Sequence, residues 1–441
     1  MIYSFFDFFT DPVLRAPTLG SIFMCLSSSL AGVVVLLRKR SLLGESLSHA
    51  AYPGIALGVV LLAPFFSPAS DGFSFAILAC AFISSVIGML TIDLLQKKFR
   101  VKDDAALCFV LSSFFGVGVL IVSKIQTTHA LWYKQVQAFL YGQTATMRDV
   151  HVWIYFGLLV CVSLTLTLLY REIQMLIFDS CFAKSLGINL RSVNVVVLLL
   201  TVFAIVVGIR SVGVVMMAGM LIAPALAARQ MAVSLKNMFI LAGCIGAISG
   251  FLGNYLSVMI PSFLKISKMS LPTGPMILIV ASLFCFISLL FAPQKGLLTR
   301  FMRIVKFKRN CELENILKTL WKRDPEESMT LSSIASLQNL SSYRSLVRLR
   351  KLMAKKWVIQ KRGVYSLTES GRKKARDIVR LHRLWELYLV HLGHSKDKVH
   401  ASAEEMEHVL TPELEKQLTL LLQNPMHDPH NKPIPNEDVI L

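Results

Sequence analysis

The sequence predicts an all-α polytopic membrane domain of about nine transmembrane helices, followed by a cytosolic winged helix-turn-helix domain and a further helical domain. Of the 441 residues, 54% are hydrophobic and 17% are charged, whereas a soluble chain is about half apolar and a quarter charged. The long apolar runs end near residue 291, and the rest of the chain is rich in Lys, Arg and Glu. This second part places three helical patterns before two short strand patterns.

Nine apolar stretches are candidate membrane spans, because a span needs roughly 20 apolar residues. The sixth and seventh are short and almost abut, which predicts that one of them is tilted or broken. A shorter apolar piece at 136–141 is predicted to be re-entrant or interfacial. The nine stretches centre on residues 19–37, 47–65, 75–95, 105–122, 153–169, 193–207, 212–228, 239–259 and 276–291.

Basic residues are concentrated on alternate loops of this predicted bundle. They follow the first, third, fifth and seventh spans, and the positive-inside rule places such loops in the cytosol. An odd number of spans then puts the N-terminus outside and the C-terminal region inside. The loop at 124–148 fits this topology less well. The predicted location is a multi-pass position in the bacterial inner membrane, with a cytosolic C-terminus.

The second span contains two ionisable residues, Glu45 and His49. They are four residues apart, so they share one face of a helix. Ionisable groups at membrane depth usually face a pathway or a partner, and a carboxylate with an imidazole suits a divalent first-row metal. In the competing interpretation Glu45 lies at the cytosolic interface and His49 only hydrogen-bonds within the bundle. Residue chemistry alone does not separate the two.

The residues around this pair resemble a known family. Residues 41–50 (SLLGESLSHA) and 53–58 (PGIALG) are similar to the signature of metal-specific ABC importer permeases, which handle zinc, manganese and iron. Residues 178–187 resemble the segment that docks on the ATPase, and residues 211–225 resemble a small-residue span of the family. The resemblance covers roughly the first two-thirds of the chain.

The resemblance implies that Glu45 and His49 line the metal pathway, with Glu45 standing where the family usually has Asp. It also implies three partners: an ABC ATPase subunit, a second permease subunit and an extracytoplasmic metal-binding protein. The chain has no G-x-x-x-x-G-K-[ST] sequence, so ATP hydrolysis is expected on a separate chain and this one is not expected to be an enzyme. The implied ATPase-docking residues are Phe178, Asp179, Phe182, Ala183, Leu186 and Gly187.

Residues 294–312 form a basic linker after the membrane domain, 1–293. Basic residues in such a place usually anchor a chain at the membrane surface, and a processing site is the alternative. The predicted domains that follow are a winged helix-turn-helix at 313–370, a metal-binding and dimerisation domain at 371–435 and a tail at 436–441.

The winged helix-turn-helix prediction rests on helices at 313–322, 330–337 and 341–355 and on strands at 357–360 and 364–367. The third helix has an apolar side and a basic side, and a turn with two basic residues joins the strands. A basic stripe alone is usually a solvated face, but in this order of elements it indicates a recognition helix and a wing. The predicted DNA-binding residues are Arg344, Arg348, Lys351, Lys355, Lys361 and Arg362.

The last part of the chain carries six His and Glu residues at helical spacings. Mixed nitrogen and oxygen donors suit Mn(II) or Fe(II) better than a thiolate zinc site does. Lone surface His and Glu residues are common, but this clustering predicts a metal site. The predicted ligands are His382, Glu386, His400, Glu404, Glu407 and His408.

Five segments, at 367–371, 382–386, 399–400, 404–408 and 428–435, resemble the diphtheria-toxin-repressor family of metal-dependent regulators. The family binds Fe(II) or Mn(II), dimerises and then grips an operator. The resemblance implies one site at Glu404, Glu407 and His408, with the other three ligands matching further metal residues. Glu404 stands where iron-type members carry Cys. Asn315, beside Glu314, stands where the family supplies a further ligand.

The pairing of both modules resembles the metal permease–repressor fusions of chlamydiae, which implies iron, while ligand chemistry leaves manganese open. The predicted function is a permease for a divalent transition metal whose C-terminal domain, as a homodimer, represses uptake genes. Proteolytic release would give a membrane-tethered repressor access to its operator. In the alternative, the C-terminal domain is a metal-responsive gate that closes transport without binding DNA.

Overall fold

The computed structural model of the chain describes residues 4–65, 71–128, 130–263, 271–322, 328–394, 406 and 412–435. The chain divides into two compact units, Met1–Arg300 and Phe301–Leu441. Each unit is built around its own cluster of buried apolar side chains, so each is described by itself.

The first unit is helical. Among its described helices, eight are long and apolar enough to cross a membrane: α2, α4, α5, α7 and α10 to α13 in the numbering below. The predicted second span is also a helix, α3, but it is not one of the eight because Glu45, His49 and two serines lower its hydropathy. The helices are α1 (Asp7–Thr10), α2 (Pro12–Leu37), α3 (Leu42–Leu62), α4 (Asp71–Lys97), α5 (Asp103–Thr128), α6 (Ala130–Tyr141), α7 (Asp149–Leu168), α8 (Tyr170–Phe178), α9 (Ser180–Ser185), α10 (Leu190–Val212), α11 (Val214–Met231), α12 (Leu235–Phe263) and α13 (Thr273–Phe291).

The sixth and seventh predicted spans, one of which was expected to be tilted or broken, are both continuous helices, α10 and α11. Gly213 alone separates them. Its φ of 95° belongs to the region that favours glycine. The chain after α6 crosses this break so closely that a Cβ on Gly142 would lie 2.3 Å from the Ser211 carbonyl oxygen. The Thr144 hydroxyl donates to the same oxygen at 2.8 Å. The crossing segment therefore satisfies a backbone group that the helix break leaves without its usual partner.

Helices of this unit meet closely at small residues, as is usual where membrane helices pack. At Gly32 of α2, a Cβ would lie 1.7 Å from the Leu221 carbonyl oxygen of α11. At Gly250 of α12, it would lie 2.7 Å from the Ser21 carbonyl oxygen of α2. The sequence places glycine where two backbones touch.

Replacing Gly32 by Ala is expected to destabilise the first unit by about 1–3 kcal/mol, because the methyl group can only be placed by moving α2 away from α11. The measurement is the temperature at which half of the detergent-solubilised protein is no longer monodisperse. Gly157→Ala is the matched control, because no atom of the described residues lies within 4 Å of its added methyl. Equal midpoints for the two variants would contradict the close packing of α2 and α11.

In its described residues, the second unit combines five helices with a small antiparallel sheet of strand order β1-β3-β2. Its core is formed by apolar side chains of α14, α15, α16 and α17 together with the sheet. The elements are α14 (Leu297–Trp321, whose first turn belongs to the first unit), β1 (Met329–Thr330), α15 (Leu331–Leu337), α16 (Ser342–Ala354), β2 (Val358–Lys361), β3 (Val364–Leu367), α17 (Glu369–His391) and α18 (Pro412–Leu421).

Local sequence signals explain where these elements begin and turn. The side chains of Thr330, Ser341 and Thr368 each accept the backbone N–H three residues further on, at 3.4, 3.4 and 3.0 Å, and so cap α15, α16 and α17. Arg362 and Gly363 both have positive φ, 49° and 83°, as a two-residue hairpin turn requires. The predicted order of three helices and a basic hairpin is therefore confirmed.

One helix is longer than predicted. The helix expected at 313–322 is the C-terminal part of α14, which begins at Leu297, so most of the predicted linker is helical. No Gly or Pro interrupts residues 297–321, and only those two residue types strongly oppose a helix.

Candidate functional site

In the first unit, Glu45 and His49 lie one turn apart on α3, and each is half-buried. The ring of His49 meets Phe115 of α5 edge-on, with the ring centroids 4.7 Å apart. Contacts fix α3 between its neighbours, because the Ser46 hydroxyl donates to the Leu107 carbonyl oxygen of α5 at 2.9 Å. The two ionisable groups are thus carried by a helix packed within the bundle.

Hydrogen bonding distinguishes His49 from the polar residues beside it. The hydroxyls of Ser46 and Ser48 donate to backbone carbonyls of their own helix. The Nδ1 atom of His49 is buried and has no hydrogen-bond partner among the described residues. A buried polar atom is rarely left in this state, and a passing metal ion is one partner that an imidazole nitrogen suits. This observation favours the pathway interpretation over a purely structural histidine.

The predicted ATPase-docking segment forms the short helix α9 and its flanks. The Asp179 carboxylate accepts the Phe182 backbone N–H at 2.9 Å and caps the helix. Ala183 is buried, and Gly187, with a φ of 75°, follows the helix end. Exposed apolar side chains that are held in this way typically mark a protein contact. The exposed ones are Phe178, Phe182 and Leu186, at 67%, 54% and 54%.

In the second unit, α16 presents a buried and an exposed face. Leu349 and Leu352 are fully buried in the core. Most of the predicted DNA-binding residues lie on exposed surface, as contact with phosphates requires. The exposed ones are Arg344, Lys351 and Lys355 of α16 and Lys361 and Arg362 of the hairpin.

Two of the predicted DNA-binding residues have contacts within the unit. Arg348 is half-buried, and its Nε lies 2.5 Å from the Glu312 carboxylate of α14, so its guanidinium holds two helices together. The Lys355 ammonium lies 4.5 Å from the centre of the Trp357 ring. Sequence analysis did not include Tyr343, which is 76% exposed beside Arg344.

Two of the six predicted metal ligands lie within the described residues. His382 and Glu386 of α17 are only 4% and 3% exposed. Nε2 of His382 lies 3.2 Å from the Glu386 carboxylate, so the predicted spacing does bring the two side chains together. The other four, His400, Glu404, Glu407 and His408, lie outside the described residues.

Glu386 also belongs to a second cluster, with Asp428 and His430. One donor atom from each of the three residues lies within 4.8 Å of the others. Glu386 and Asp428 are buried and His430 is exposed, which leaves one side of the cluster open to an entering ion. Two carboxylates with one imidazole form a mixed oxygen and nitrogen donor set that suits Mn(II) and Fe(II).

The segment that carries Asp428 is held firmly against α17. One Asp428 carboxylate oxygen accepts the backbone N–H groups of His430 and Lys432, at 2.9 and 2.8 Å. The Arg380 guanidinium donates to the Pro435 carbonyl oxygen at 2.8 Å, and Arg383 lies 3.7 Å from the other side of the Asp428 carboxylate. These contacts position Asp428 and His430 before any ion binds.

The His382 side of the site has a different neighbour, the buried ammonium of Lys318 on α14. Its Nζ lies 3.1 Å from Nδ1 of His382, and Lys318 is only 4% exposed. Asn315 lies three residues before Lys318 on the same helix, so the two share a face. The Oδ1 atom of Asn315 is buried and has no hydrogen-bond partner among the described residues. A positive charge thus contacts a predicted metal ligand.

Sequence analysis did not identify Asp428, His430 and Lys318 as site residues. A signal for the first two was present, because Asp428 and His430 lie in one of the segments that resemble metal-dependent regulators. Lys318 had no such signal, since a lysine in a helix is normally solvated.

Two family models match the chain. The ABC 3 transport family matches residues 10–292. The iron-dependent repressor, metal-binding and dimerisation domain matches residues 368–436. The first match covers most of the first unit, and the second covers α17, α18 and the segment with Asp428 and His430.

Known relatives agree with both matches. The "Probable metal transport system membrane protein" of Chlamydia trachomatis serovar D is 36% identical over 439 residues, which are 97% of each chain. The manganese transport system membrane protein MntC of Bacillus subtilis is 30% identical over 375 residues, 84% of this chain and 83% of that one. The structure of PsaBC from Streptococcus pneumoniae in complex with Fab shares the fold of the membrane unit, with TM-score 0.57, 24% identity and coverage of 69% of this chain and 99% of that one. The chain belongs to the ABC 3 transport family, as a multi-span metal permease fused to a C-terminal domain of the iron-dependent repressor type.

Proposed function

We propose that this protein carries Fe(II) or Mn(II) across the bacterial inner membrane, and that its C-terminal unit represses uptake genes as a metal-loaded homodimer. One observation carries the proposal: the cluster of Glu386, Asp428 and His430 lies in the same compact unit as a winged helix-turn-helix with an exposed basic face. A metal sensor and a DNA reader within one unit form a repressor whose co-repressor is the transported ion.

The donor set supports the choice of metal. Carboxylate oxygens and imidazole are ligands that Mn(II) and Fe(II) accept readily, whereas structural zinc is more often held by thiolates. No cysteine belongs to the cluster among the described residues. The relative in Bacillus subtilis is named for manganese, and the resemblance to chlamydial fusions implies iron.

The partners follow from the family and from the exposed surface of the membrane unit. An ABC importer needs an ATPase, and Phe178, Phe182 and Leu186 provide an exposed apolar docking patch for it. A second permease subunit and an extracytoplasmic metal-binding protein complete the transporter. Operator DNA is the partner of α16 and of the β2–β3 hairpin.

The first part of α14 supports a cytosolic C-terminal unit. Over its first three turns most apolar residues lie on one side and Arg300, Arg303 and Lys306 on another. Phe301 and Met302 are 63% and 55% exposed. A helix of this kind suits a membrane surface with anionic lipids, which is the cytosolic face. Proteolytic release of the unit would require a cut in or before this helix. The basic residues are Arg300, Arg303, Lys306, Lys308 and Arg309.

Helix α17 connects the metal cluster to the hairpin. Glu386 lies in its second half, while its first turn packs against the residues just before β2. A Cβ on Gly371 would lie 1.9 Å from the Trp357 carbonyl oxygen, and the Thr368 backbone N–H donates to that oxygen at 3.0 Å. A metal ion that shifts α17 would therefore move the wing, so one rigid helix links ion binding to DNA contact.

Asp428→Asn is expected to abolish metal-dependent DNA binding. The amide keeps an oxygen for the backbone N–H groups of His430 and Lys432 but loses the charge that attracts the ion, which lowers metal affinity by about 10- to 100-fold. The measurement is fluorescence anisotropy of DNA from upstream of the protein's own gene, titrated with the full chain in detergent. Fe(II), Mn(II) and a chelator are compared.

Asp377→Asn is the matched control, because Asp377 lies on α17 away from the cluster and is expected to behave as the wild type. Unchanged metal-dependent DNA binding in Asp428→Asn would exclude the cluster as the sensor. Metal binding without any DNA binding, together with transport that Asp428→Asn releases from inhibition, would instead favour the gate.

A further inference from the structure

The buried end of α14 contributes a positive charge to the proposed metal site. The Lys318 ammonium, the His382 ring and the Glu386 carboxylate form a continuous chain of contacts, 3.1 Å from Nζ to Nδ1 and 3.2 Å from Nε2 to the carboxylate oxygen. All three side chains are at most 4% exposed. Glu386 is therefore shared between this chain and the cluster with Asp428 and His430.

The groups at the two ends of this chain of contacts, an ammonium and a carboxylate, determine which ring nitrogen of His382 carries the proton. An ammonium group has only protons to donate, so Nδ1 of His382 accepts from Lys318. The proton of the neutral ring is then on Nε2, where it donates to Glu386. Both nitrogens of His382 are engaged, and neither offers the unshared electron pair that a metal bond needs.

A metal ion at His382 would have to displace one of these contacts. At Nδ1 the ion would take the place of the Lys318 ammonium, and two positive charges would meet in a buried place. At Nε2 the ring would need its proton on Nδ1, where Lys318 already points a proton. Either route is opposed by the lysine.

We propose that the Lys318 ammonium occupies the place beside His382 where a metal ion would otherwise bind. The divalent ion is then held through Glu386, Asp428 and His430 and not through His382. The inference rests on the proposed function, in which that cluster is the metal site. Because the Lys318 ammonium lies only one imidazole ring away from Glu386, its positive charge also weakens metal binding. Lys318 thereby sets the metal concentration at which the sensor responds.

Exchange of Lys318 for a neutral side chain tests whether its charge keeps the metal ion away from His382. Mn(II) affinity is measured by competition with a fluorescent chelator, using the full chain in detergent, and the membrane unit is identical in all variants. Lys318→Gln is expected to raise the affinity by about tenfold, because a neutral amide yields the Nδ1 electron pair of His382 to an ion more readily than an ammonium group does. Lys318→Arg keeps the charge and is expected to leave the affinity unchanged.

His382→Gln provides the decisive comparison. In the wild-type background it is expected to leave Mn(II) affinity unchanged, whereas Glu386→Gln lowers it by about tenfold or more. In the Lys318→Gln background, His382→Gln is expected to remove the gained affinity. Thermal unfolding of each variant shows whether it is folded, and if Lys318→Gln is not, His382→Gln alone still decides.

The inference is overturned if His382→Gln lowers Mn(II) affinity as much as Glu386→Gln does, or if folded Lys318→Gln gains none. Failure of the proposed function would look different. In that case Glu386→Gln and Asp428→Asn would bind as much Mn(II) as the wild type, whatever His382→Gln does.

Discussion

Glu45→Gln is expected to lower metal uptake by about a hundredfold or more, because it removes the one carboxylate that accompanies His49 on α3. A divalent ion leaves its water shell only where protein groups of opposite charge replace it. The neighbouring Ser46 and Ser48 hydroxyls already donate to backbone carbonyls. The charge of Glu45 is thus one feature of this helix that suits an ion in transit. The other is Nδ1 of His49, which has no hydrogen-bond partner in the described part of the chain.

Uptake of radioactive Mn(II) by cells that contain the complete transporter measures this. Glu45→Asp restores the residue usual in the family and is expected to retain transport. Gly44→Ala is the matched control on the same helix, because its added methyl would make only ordinary van der Waals contacts, at 3.6 Å from the Leu221 side chain and 3.9 Å from the Ala218 Cα. Normal uptake by Glu45→Gln would instead assign Glu45 to the membrane interface.

Neutralising Arg344 and Lys351 together is expected to weaken operator binding by about a hundredfold at physiological salt. Both side chains are exposed on α16, and the loss of a phosphate contact lowers the salt dependence of binding by about one unit of slope. The slope of log affinity against log salt should therefore become shallower by about two per subunit. Anisotropy titrations at several salt concentrations, with metal present, give both numbers.

Arg348→Gln serves as the matched control in the same helix. Its guanidinium lies 2.5 Å from Glu312, so the substitution is expected to cost about 1 kcal/mol of stability and to leave the salt slope unchanged. If Arg348→Gln changed the slope as much as the double variant does, the Glu312 pair would have to open on DNA. An unchanged slope in the double variant would exclude α16 as the recognition helix.

The sequence was sufficient wherever structure depends on nearby residues. Long apolar runs predicted the membrane helices, because only such runs are stable in a bilayer. Thr330, Ser341 and Thr368 were readable as helix starts, since an N-cap acts within three residues. The turn at Arg362 and Gly363, where both residues have positive φ, likewise depends only on adjacent residues. The close succession of α10 and α11 was also visible, as two apolar stretches that almost abut.

Helical spacing also predicted which of some site residues lie close together. His382 and Glu386, four residues apart, do touch, and Glu45 and His49 do share α3. Helical spacing could not show which hydrogen bonds each of these side chains makes. Among the described residues Nδ1 of His49 has no hydrogen-bond partner. This depends on which atoms of α5 and its neighbours surround the ring, and helical periodicity does not contain that information.

Only the tertiary structure shows how distant segments of the second unit meet around Glu386. Lys318, Glu386 and Asp428 lie on three segments separated by tens of residues, and their contact depends on how α14 and the segment with Asp428 pack against α17. The same packing places Arg348, a predicted DNA contact, against Glu312. Periodicity fixes which side of a helix a residue occupies, but the charge that faces it is set by the packing of the whole unit.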